Sequence, residues 1–224
     1  MVIEPVAHLY NDYVEKFGIP RQSLRVPARA KIVFVEKYRV PEALREIEHF
    51  SHLWLLFDFS QAHRGDFSPT VRPPRLGGNR RVGVFASRSP FRPNSIGLSA
   101  VRLLAVEKDA RLGHCLIVEG ADLLNGTPIY DIKPYLAGDS IPQAVCGYAD
   151  EFTDYALSVD FPPRLLELLP PQMRAPLVAL LREDPRPSYQ EDNTRVYRFR
   201  YGNFEIGFSV EGDLLHVLSV DAAD

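Results

Sequence analysis

Short strand-like runs dominate the pattern of apolar and polar positions over the first two-thirds of the chain. The runs are rich in β-branched and aromatic residues, and Gly, Pro or Asn residues separate them. Many strands with few helices between them favour an antiparallel sheet or barrel over a doubly wound α/β fold. The predicted strands are residues 29–35, 52–59, 81–86, 98–107, 115–122 and 128–135.

One segment of this region has helical periodicity instead. Pro41 stands where proline is favoured, at the first position of a helix. Leu44, Ile47 and Phe50 then recur at the spacing of one helix face. The pattern predicts an α-helix over residues 41–50.

The chain changes character after Gly147. Residues 147–163 have the composition of a connecting segment. Residues 163–169 and 171–184 are typical of two short helices. Pro170 and Pro171 separate these helices, because proline interrupts a helix.

The C-terminal residues alternate between apolar and polar side chains. Turns at Gly202-Asn203 and Gly212-Asp213 carry the residue types that hairpins prefer. The predicted fold class is therefore mainly β, with a larger antiparallel all-β domain over residues 1–147 and a small α+β domain over residues 148–224. The smaller domain is predicted to contain a three-stranded antiparallel sheet, with strands at residues 194–201, 204–210 and 214–220.

The net charge of −3 hides an uneven distribution of arginine. One segment contains seven arginines and a single acid, Asp66, so it carries +6 and leaves −9 to the rest of the chain. Glycines and prolines interleave these arginines, and a guanidinium binds phosphate or carboxylate through a planar pair of donors. This arrangement favours a shaped anion-binding surface over a solvated face. The seven residues are Arg64, Arg72, Arg75, Arg80, Arg81, Arg88 and Arg92.

Several common sites and signals are absent from the sequence. There is no G-x-G-x-x-G opening a helix and no G-x-x-x-x-G-K-[ST], which excludes a Rossmann or P-loop nucleotide site. No apolar run approaches the roughly 20 residues that cross a bilayer, and no membrane contact is expected. Cys115 and Cys146 lack C-x-x-C spacing, and Cys115 lies in an apolar run where burial is expected. Together with the lack of an export signal, these features predict a cytoplasmic protein.

His49 and His52 are the candidates for a metal site. Their spacing suits two ligands, but neither a cysteine nor a third histidine lies nearby in sequence. Because His52 precedes an apolar strand, a partly buried, hydrogen-bonded histidine is favoured over a ligand, and no metal is expected.

Five loop segments hold more rigid and polar residues than turns require. Prolines and glycines fix a backbone at low entropic cost, and polar groups between them are then held in place as a binding site requires. Any one segment is typical of a turn, whereas five together favour a binding surface. They are FGIPRQ (17–22), VRPPRLGGNRR (71–81), RSPFRPNSIGLS (88–99), LLNGTPIYDIKPY (123–135) and DPRPSY (184–189).

Together with FSHLWLLFDFSQ (50–61), these segments resemble the TsaA/TrmO family of S-adenosylmethionine-dependent tRNA methyltransferases. The resemblance spans nearly the whole chain, and the arginine–proline motif is its most specific part. It implies an unusual β-barrel methyltransferase domain, a small C-terminal tRNA-contacting domain and a homodimer. The implied reaction is methylation of N6 of threonylcarbamoyladenosine beside the tRNA anticodon.

The resemblance also implies which residues contact S-adenosylmethionine. The chain departs from the family's pattern at Ser60, where histidine is common, at Ser95, where proline is common, and at Asn125, where aspartate is common. An amide oxygen still accepts hydrogen bonds, so Asn125 does not argue against cofactor binding. The implied contacts are Pro20, Arg21, Gln22, Ser60, Gln61, Arg88, Leu98, Leu123, Leu124, Asn125 and Gly126.

The chemistry of the reaction suits these residue types. Arg21 or Arg88 would meet the carboxylate of the methyl donor, and methyl transfer depends mainly on positioning. On the acceptor, N6 belongs to a urea and is a weak nucleophile until its proton leaves, so a nearby base would help. Asp131 is preferred over Tyr135 as that base. An ion pair between Asp131 and Lys133 or an arginine is an equally open interpretation.

Several charged residues, most of them cationic, and one tyrosine are candidates for contacts with the tRNA anticodon loop. The carboxylate of the threonylcarbamoyl group needs a cationic partner, and the phosphates suit the arginine-rich segment. The candidate substrate contacts are Arg80, Arg81, Arg92, Lys133, Asp184, Arg186 and Tyr189.

Two other functions remain open at this point. A methyltransferase of the same fold that acts on a small acceptor other than tRNA would not need the C-terminal domain. A non-catalytic RNA-binding module would bind tRNA with steep salt dependence and would have no affinity for S-adenosylmethionine.

Overall fold

The structure, a computed structural model, describes residues 2–63, 65–73, 80–152, 155–186 and 195–223. The strands are β1 (Ala7–Tyr10), β2 (Arg29–Phe34), β3 (His52–Asp58), β4 (Thr70–Val71), β5 (Val82–Gly83), β6 (Ile96–Asp109), β7 (Gly113–Glu119), β8 (Thr127–Pro134), β9 (Ser158–Asp160), β10 (Tyr197–Tyr201), β11 (Phe204–Glu211) and β12 (Leu214–Ala222). The α-helices are α1 (Pro163–Leu166) and α2 (Pro171–Arg182). Further 3-10 helices span Glu36–Tyr38, Pro41–Leu44, Ile47–His49, Val84–Ala86, Ala137–Asp139 and Gly147–Phe152.

Six strands form one antiparallel sheet in the order β1-β2-β7-β6-β3-β8, and β8 pairs back with β1, so the sheet closes on itself. Alternate side chains point inward, and in β3 Leu53, Leu55 and Phe57 are buried in the enclosed core. The fold is therefore mainly β, as predicted. The strands predicted at residues 29–35, 52–59, 98–107, 115–122 and 128–135 are confirmed, with ends that differ by at most three residues.

The α-helix predicted over residues 41–50 is wrong. Two 3-10 helices, Pro41–Leu44 and Ile47–His49, occupy the segment. Between them Glu46 has a φ of 71°, a left-handed conformation that interrupts a right-handed helix. The apolar side chains of the predicted face still pack against the core of the closed sheet. Their spacing therefore reflects a buried face, which two short turns also provide.

Two short segments depart from the predicted strands. Most of residues 81–86 is not a strand, because only Val82–Gly83 pairs, with β4, and Val84–Ala86 forms a 3-10 helix. Strand β1 lies outside all the predicted strands, yet Ala7 pairs with both β2 and β8 and so closes the sheet. Four residues are too few for alternation to stand out from the surrounding sequence.

The C-terminal sheet has four strands in the order β10-β11-β12-β9, so the predicted three-stranded antiparallel sheet is wrong by one strand. The additional strand β9 pairs parallel to β12 and lies within the predicted connecting segment. Strand β9 has only three residues, and of these only Val159 is partly buried. It therefore gives no periodic signal in the sequence. The hairpin turns are confirmed, since Gly202 and Gly212 have φ values of 57° and 56°.

A second hydrophobic core joins the C-terminal sheet and helices to residues 11–28, the loop between β1 and β2. Tyr13, Val26 and Ala28 from this loop are buried in that core. Phe17 packs edge-on against Phe199 with ring centroids 5.8 Å apart. Residues on both sides of the predicted boundary at residue 147 therefore build one core, and loop 11–28 belongs to both units.

Candidate functional site

Three loops meet at one end of the closed sheet. Because neighbouring strands are antiparallel, β1, β3 and β7 end at the rim where β2, β6 and β8 begin. The loops at this rim are residues 11–28, 59–95 and 120–126. Of the eleven cofactor contacts implied by the resemblance, ten lie in these loops and the other, Leu98, lies near the start of β6. Closure of the sheet thus gathers segments that are far apart in sequence.

The turn from Leu123 to Gly126 is fastened to loop 11–28. The side-chain oxygen of Asn125 accepts a hydrogen bond from the backbone amide of Asn11 at 3.0 Å. Nδ2 of Asn11 donates to the carbonyl of Leu123 at 2.8 Å. Gly126 has a φ of 81°, which glycine adopts without strain. Asn125 therefore provides an acceptor that an aspartate would also provide.

The leucines implied for an apolar slot differ in exposure. Leu123 is buried in the core of the closed sheet, whereas Leu124 is partly buried. Leu98, on the outer face of β6, is 52% exposed. Leu123 therefore supports the turn from inside, and Leu98 and Leu124 can present an apolar surface to a ligand.

Arg21 connects the rim to the C-terminal unit. Its Nη2 donates to the carbonyls of Asp184 at 2.8 Å and of Arg186 at 2.7 Å. On either side of it, Pro20 is buried and Gln22 is exposed. These bonds hold the segment of loop 11–28 that carries three of the implied cofactor contacts.

Two of the predicted substrate contacts pair with each other. Nε and Nη2 of Arg186 donate to the two carboxylate oxygens of Asp184 at 2.8 and 2.9 Å, and the hydroxyl of Tyr155 donates to Oδ2 of Asp184 at 2.8 Å. Burial disfavours the charged form of Asp184, but the bonds from Arg186 and Tyr155 outweigh burial and lower its pKa. The pair fastens the loop that follows α2. Tyr189 lies outside the described residues.

The arginines of the arginine-rich segment differ in environment, because one binds the backbone of its own loop and others are exposed to solvent. Nη1 of Arg92 donates to the carbonyls of Val84 at 3.1 Å and of Ser87 at 2.7 Å. Arg92 therefore braces its own loop. The exposed arginines are Arg72, Arg80, Arg81 and Arg88, whereas Arg64, Arg75 and the residues 76–79 lie outside the described residues.

Asp131 forms an ion pair with Lys133, whose Nζ lies 2.7 Å from Oδ2. The two side chains are 45% and 60% exposed. Leu56 is in register with both Leu98 and Asp131, so these two residues lie two strands apart on the outer face, about 10 Å from each other. Asp131 thus lies on the same face of the sheet as Leu98, one of the implied cofactor contacts. It also forms the ion pair with Lys133 that the sequence left open as an alternative.

Tyr135 lies towards the opposite end of the sheet. Its backbone amide donates to the carbonyl of His52 at 3.0 Å, and its ring lies 5.3 Å from that of Trp54. Four residues of strand separate it from Asp131, which corresponds to about 13 Å. The structure does not bring Tyr135 together with the other candidates.

Asp122 is a rim residue that the sequence motifs did not single out. It precedes Leu123, and its Oδ1 atom is buried without a hydrogen-bond partner among the described residues. Burial raises the pKa of Asp122, while the nearby Ser99, Arg88 and backbone of Ser23 act in the opposite direction.

The two histidines considered as metal ligands have protein neighbours as partners. Nδ1 of His52 lies 2.9 Å from the hydroxyl of Ser51, and His49 pairs with Glu46 at 3.0 Å. Cys115 is buried, as predicted. Within the described part of the chain, no three His, Cys, Asp or Glu side chains are grouped as a metal ion would require. The same residues include no helix that is long and apolar enough to span a membrane.

Comparisons with known proteins cover both units. Residues 8–139 match the model of the tRNA-methyltransferase O N-terminal domain, and residues 156–223 match the model of the TrmO C-terminal domain. A tRNA (adenine(37)-N6)-methyltransferase from Escherichia coli is 40% identical over 219 residues, which covers 92% of each chain. A putative S-adenosylmethionine-dependent methyltransferase, RcsF, from Pseudomonas aeruginosa is 38% identical over 99% of this chain and 98% of its own length. The crystal structure of TrmO from Pseudomonas aeruginosa aligns with a TM-score of 0.77 at 32% identity, covering 99% of both chains.

Proposed function

Because the chain belongs to the tRNA-methyltransferase O family, we propose that it transfers a methyl group from S-adenosylmethionine to N6 of adenosine 37 of tRNA. The acceptor is the threonylcarbamoylated form of that adenosine. The observation that carries this proposal is the gathering of the family's motif residues, from three separate loops, at one rim of the closed sheet.

The chemistry of the rim residues fits S-adenosylmethionine. The exposed guanidinium of Arg88 is the cation for its carboxylate, Leu98 and Leu124 offer apolar surface for the adenine, and Gln61 is a polar partner for the ammonium. When bound, this cofactor supplies an electrophilic methyl group.

On the acceptor side, we propose Asp131 as the base that takes the proton from N6. Lys133 contributes by binding the carboxylate of the threonylcarbamoyl group. Since the exposed pair of Asp131 and Lys133 costs little to separate, the substrate's carboxylate can draw Lys133 away and leave Asp131 free to accept the proton. This exchange would make the modification a prerequisite for methylation. Tyr135 is not part of this proposal.

The tRNA is proposed to lie over the arginine-rich segment. Arg80 and Arg81 are exposed there, and Phe85 between them and Arg88 is 76% exposed. Exposed arginines bind phosphates, and an exposed aromatic ring can stack on an unpaired base of the anticodon loop. Arg92 supports this surface indirectly, through its bonds to the loop backbone.

The division of labour between residues 1–147 as catalytic domain and residues 148–224 as tRNA-contacting domain is also proposed. The separate matches to the two family models support it. Deleting residues 148–224 would be a poor test, because it would expose Tyr13, Val26 and Ala28 and would remove the carbonyls that hold Arg21.

A homodimer is proposed as well. Ile96 on the outer face of β6 is 38% exposed, and a partner copy would cover this apolar side chain. Sedimentation of the wild-type protein tests it, with a monomer at micromolar concentration as the contrary result.

The deciding experiment measures transfer of a labelled methyl group to tRNA with and without the threonylcarbamoyl group. Incorporation is expected only with the modified tRNA. Equal labelling of both would contradict the role of the modification, and no labelling of either, together with no binding of S-adenosylmethionine by calorimetry, would contradict the function itself.

Arg88→Ala is the companion variant. It is expected to weaken S-adenosylmethionine binding by about 10- to 100-fold, the range for loss of a charged hydrogen-bond partner. Arg111→Ala is the matched control, because Arg111 is an exposed arginine in the turn between β6 and β7 at the opposite rim. Unchanged affinity of the Arg88 variant would remove this residue from the site.

A further inference from the structure

Asn11 connects two of the loops that form the rim. Its Nδ2 atom donates to the carbonyl of Leu123 at 2.8 Å, and its Oδ1 atom accepts from the backbone amide of Tyr13 at 3.0 Å. The backbone amide of Asn11 donates to Oδ1 of Asn125 at 3.0 Å. Two of these three hydrogen bonds reach the turn from Leu123 to Gly126, across 112 and 114 residues of chain.

The turn that Asn11 holds lies between the end of β7 and the start of β8. Its backbone is tied to the loop that carries Asn11 a further time, because the amide of Asn125 donates to the carbonyl of Tyr13 at 2.8 Å. The bond from the Asn11 side chain fixes the carbonyl of Leu123, directly before Leu124. Asn11 therefore bears on the placement of Leu124, which offers apolar surface in the proposed cofactor site.

The segment that carries Asn11 is held from its other side by the C-terminal sheet. The carbonyl of Asp12 accepts a hydrogen bond from the amide of Gly202 at 2.8 Å. Oε1 of Glu15 accepts from the backbone amide of Arg200 at 2.9 Å. Asn11 thus reaches the turn from a fixed support, as a residue that positions others requires.

We propose that Asn11 is a positioning residue for the methyl donor, because its side-chain amide sets the place of the turn that presents Leu124 to the adenine. The role needs a donor and an acceptor together, since Nδ2 meets a carbonyl while Oδ1 meets an amide. Asn11 acts through the turn and does not itself touch the methyl donor. This inference rests on the cofactor site proposed above.

Asn11→Asp tests the need for the donor group. It keeps the shape of the side chain and the acceptor for Tyr13, but it places a carboxylate oxygen against the carbonyl of Leu123, and two acceptors repel each other. We expect S-adenosylmethionine to bind about tenfold more weakly in calorimetry. The added negative charge would favour binding of a ligand with a net positive charge, so charge alone does not produce the loss. Gln172→Glu is the matched control, because it exchanges an amide for a carboxylate at an exposed position on α2.

A role of Asn11 in packing alone predicts a different pattern. Asparagine and aspartate have the same shape, so packing predicts full affinity for Asn11→Asp and a loss only for Asn11→Ala. Positioning predicts a loss for both variants. In methyl transfer to threonylcarbamoylated tRNA, both should raise the KM for S-adenosylmethionine by about tenfold and change kcat by less than about twofold, the pattern for loss of uniform binding. Unchanged affinity of Asn11→Asp would overturn the proposal, and so would a lower kcat at an unchanged KM.

A double-mutant cycle tests whether Asn11 acts through Leu124. In a Leu124→Ala background, Asn11→Asp should cause a smaller loss of affinity than in the wild type, because the side chain that the turn presents is gone. Equal losses in the two backgrounds would contradict the proposed role. If Asn11→Asp does not fold, Asn11→Ala takes its place in the cycle with the same expectation. If the wild-type protein binds no S-adenosylmethionine, the proposed function fails instead, and that result is distinguishable from weak binding by the variants alone.

Discussion

The loop after α2 and the strand β8 each contain an acid followed two residues later by a base, and the two pairs lie in opposite environments. Asp184 and Arg186 are joined by two hydrogen bonds, with side chains 11% and 12% exposed. Asp131 and Lys133 are joined by one contact, with side chains 45% and 60% exposed. The sequence suggested contact with substrate for both pairs.

Burial decides what each pair can do. Separating the buried pair would leave a charge out of water without a partner, so Asp184 and Arg186 serve as a fixed fastening for the C-terminal loop. An exposed pair is close to neutral in free energy, so Asp131 and Lys133 can exchange partners when a charged substrate arrives. The residue types therefore identify two ion pairs, and solvent exposure distinguishes the structural pair from the pair that we propose takes part in the reaction.

The largest expected effect comes from breaking the buried pair. Asp184→Asn should lower the free energy of unfolding by about 3 kcal/mol, because Arg186 remains buried without its counter-charge. Asparagine is the suitable replacement, since residue 184 has a φ of 52° and asparagine tolerates this left-handed conformation. Urea unfolding at pH 7 measures the loss.

The same variant has a predicted pH dependence. The pKa of Asp184 is lowered in the folded protein, so its contribution is complete above the unfolded pKa of about 3.9 and is lost as the pH falls through the folded pKa. The difference in stability between wild type and Asp184→Asn should therefore shrink in acid. A difference that persists unchanged at pH 3 would show that charge is not its source.

The same substitution in the exposed pair should affect the reaction and leave the fold intact. Asp131→Asn is expected to slow methyl transfer by about 100-fold, the low end for loss of a general base. It should change the free energy of unfolding by less than about 1 kcal/mol, as for an exposed pair. Single-turnover transfer measures the rate, and calorimetry checks that cofactor affinity is retained. A full rate would remove Asp131 as the base.

The smallest effect is expected for the cation of the exposed pair. Lys133→Ala should weaken use of threonylcarbamoylated tRNA by about tenfold, because one charge-assisted contact to the substrate's carboxylate is lost. Lys37→Ala is the matched control, since Lys37 forms an exposed pair with Glu4 far from the rim. Equal kcat/KM for the two variants would contradict the assignment of Lys133.

Local sequence patterns predicted much of the fold because the signals for strands and hairpins are local. The alternation in β3 reports which side chains enter the core, and Gly202 and Gly212 mark their turns through positive φ. The segment over residues 41–50 shows the limit of this reasoning. Its apolar spacing identified a buried face correctly, but the spacing does not distinguish an α-helix from two 3-10 turns.

The sequence motifs predicted which loops carry the candidate site, and they said less about what each residue contacts. The motifs identified the loops that meet at the rim, yet Arg21 and Arg92 proved to be bound to backbone carbonyls and Leu123 to be part of the core. Asp122 escaped notice, because a single acid after a strand has no distinctive local pattern. Only the folded structure shows that its Oδ1 atom is buried without a hydrogen-bond partner among the described residues.

By itself, the sequence determined most of the longer strands, the hairpin turns, the arginine-rich segment and the family to which the chain belongs. Only the tertiary structure decided which strands close the sheet, which core takes up loop 11–28 and which charged side chains are already paired. The physical reason is the separation in sequence over which each interaction acts. Alternation and turn chemistry act between neighbouring residues, whereas Arg21 meets the carbonyl of Asp184 across 163 residues of chain. The partner of each charge, and hence its role, is set by the folded protein.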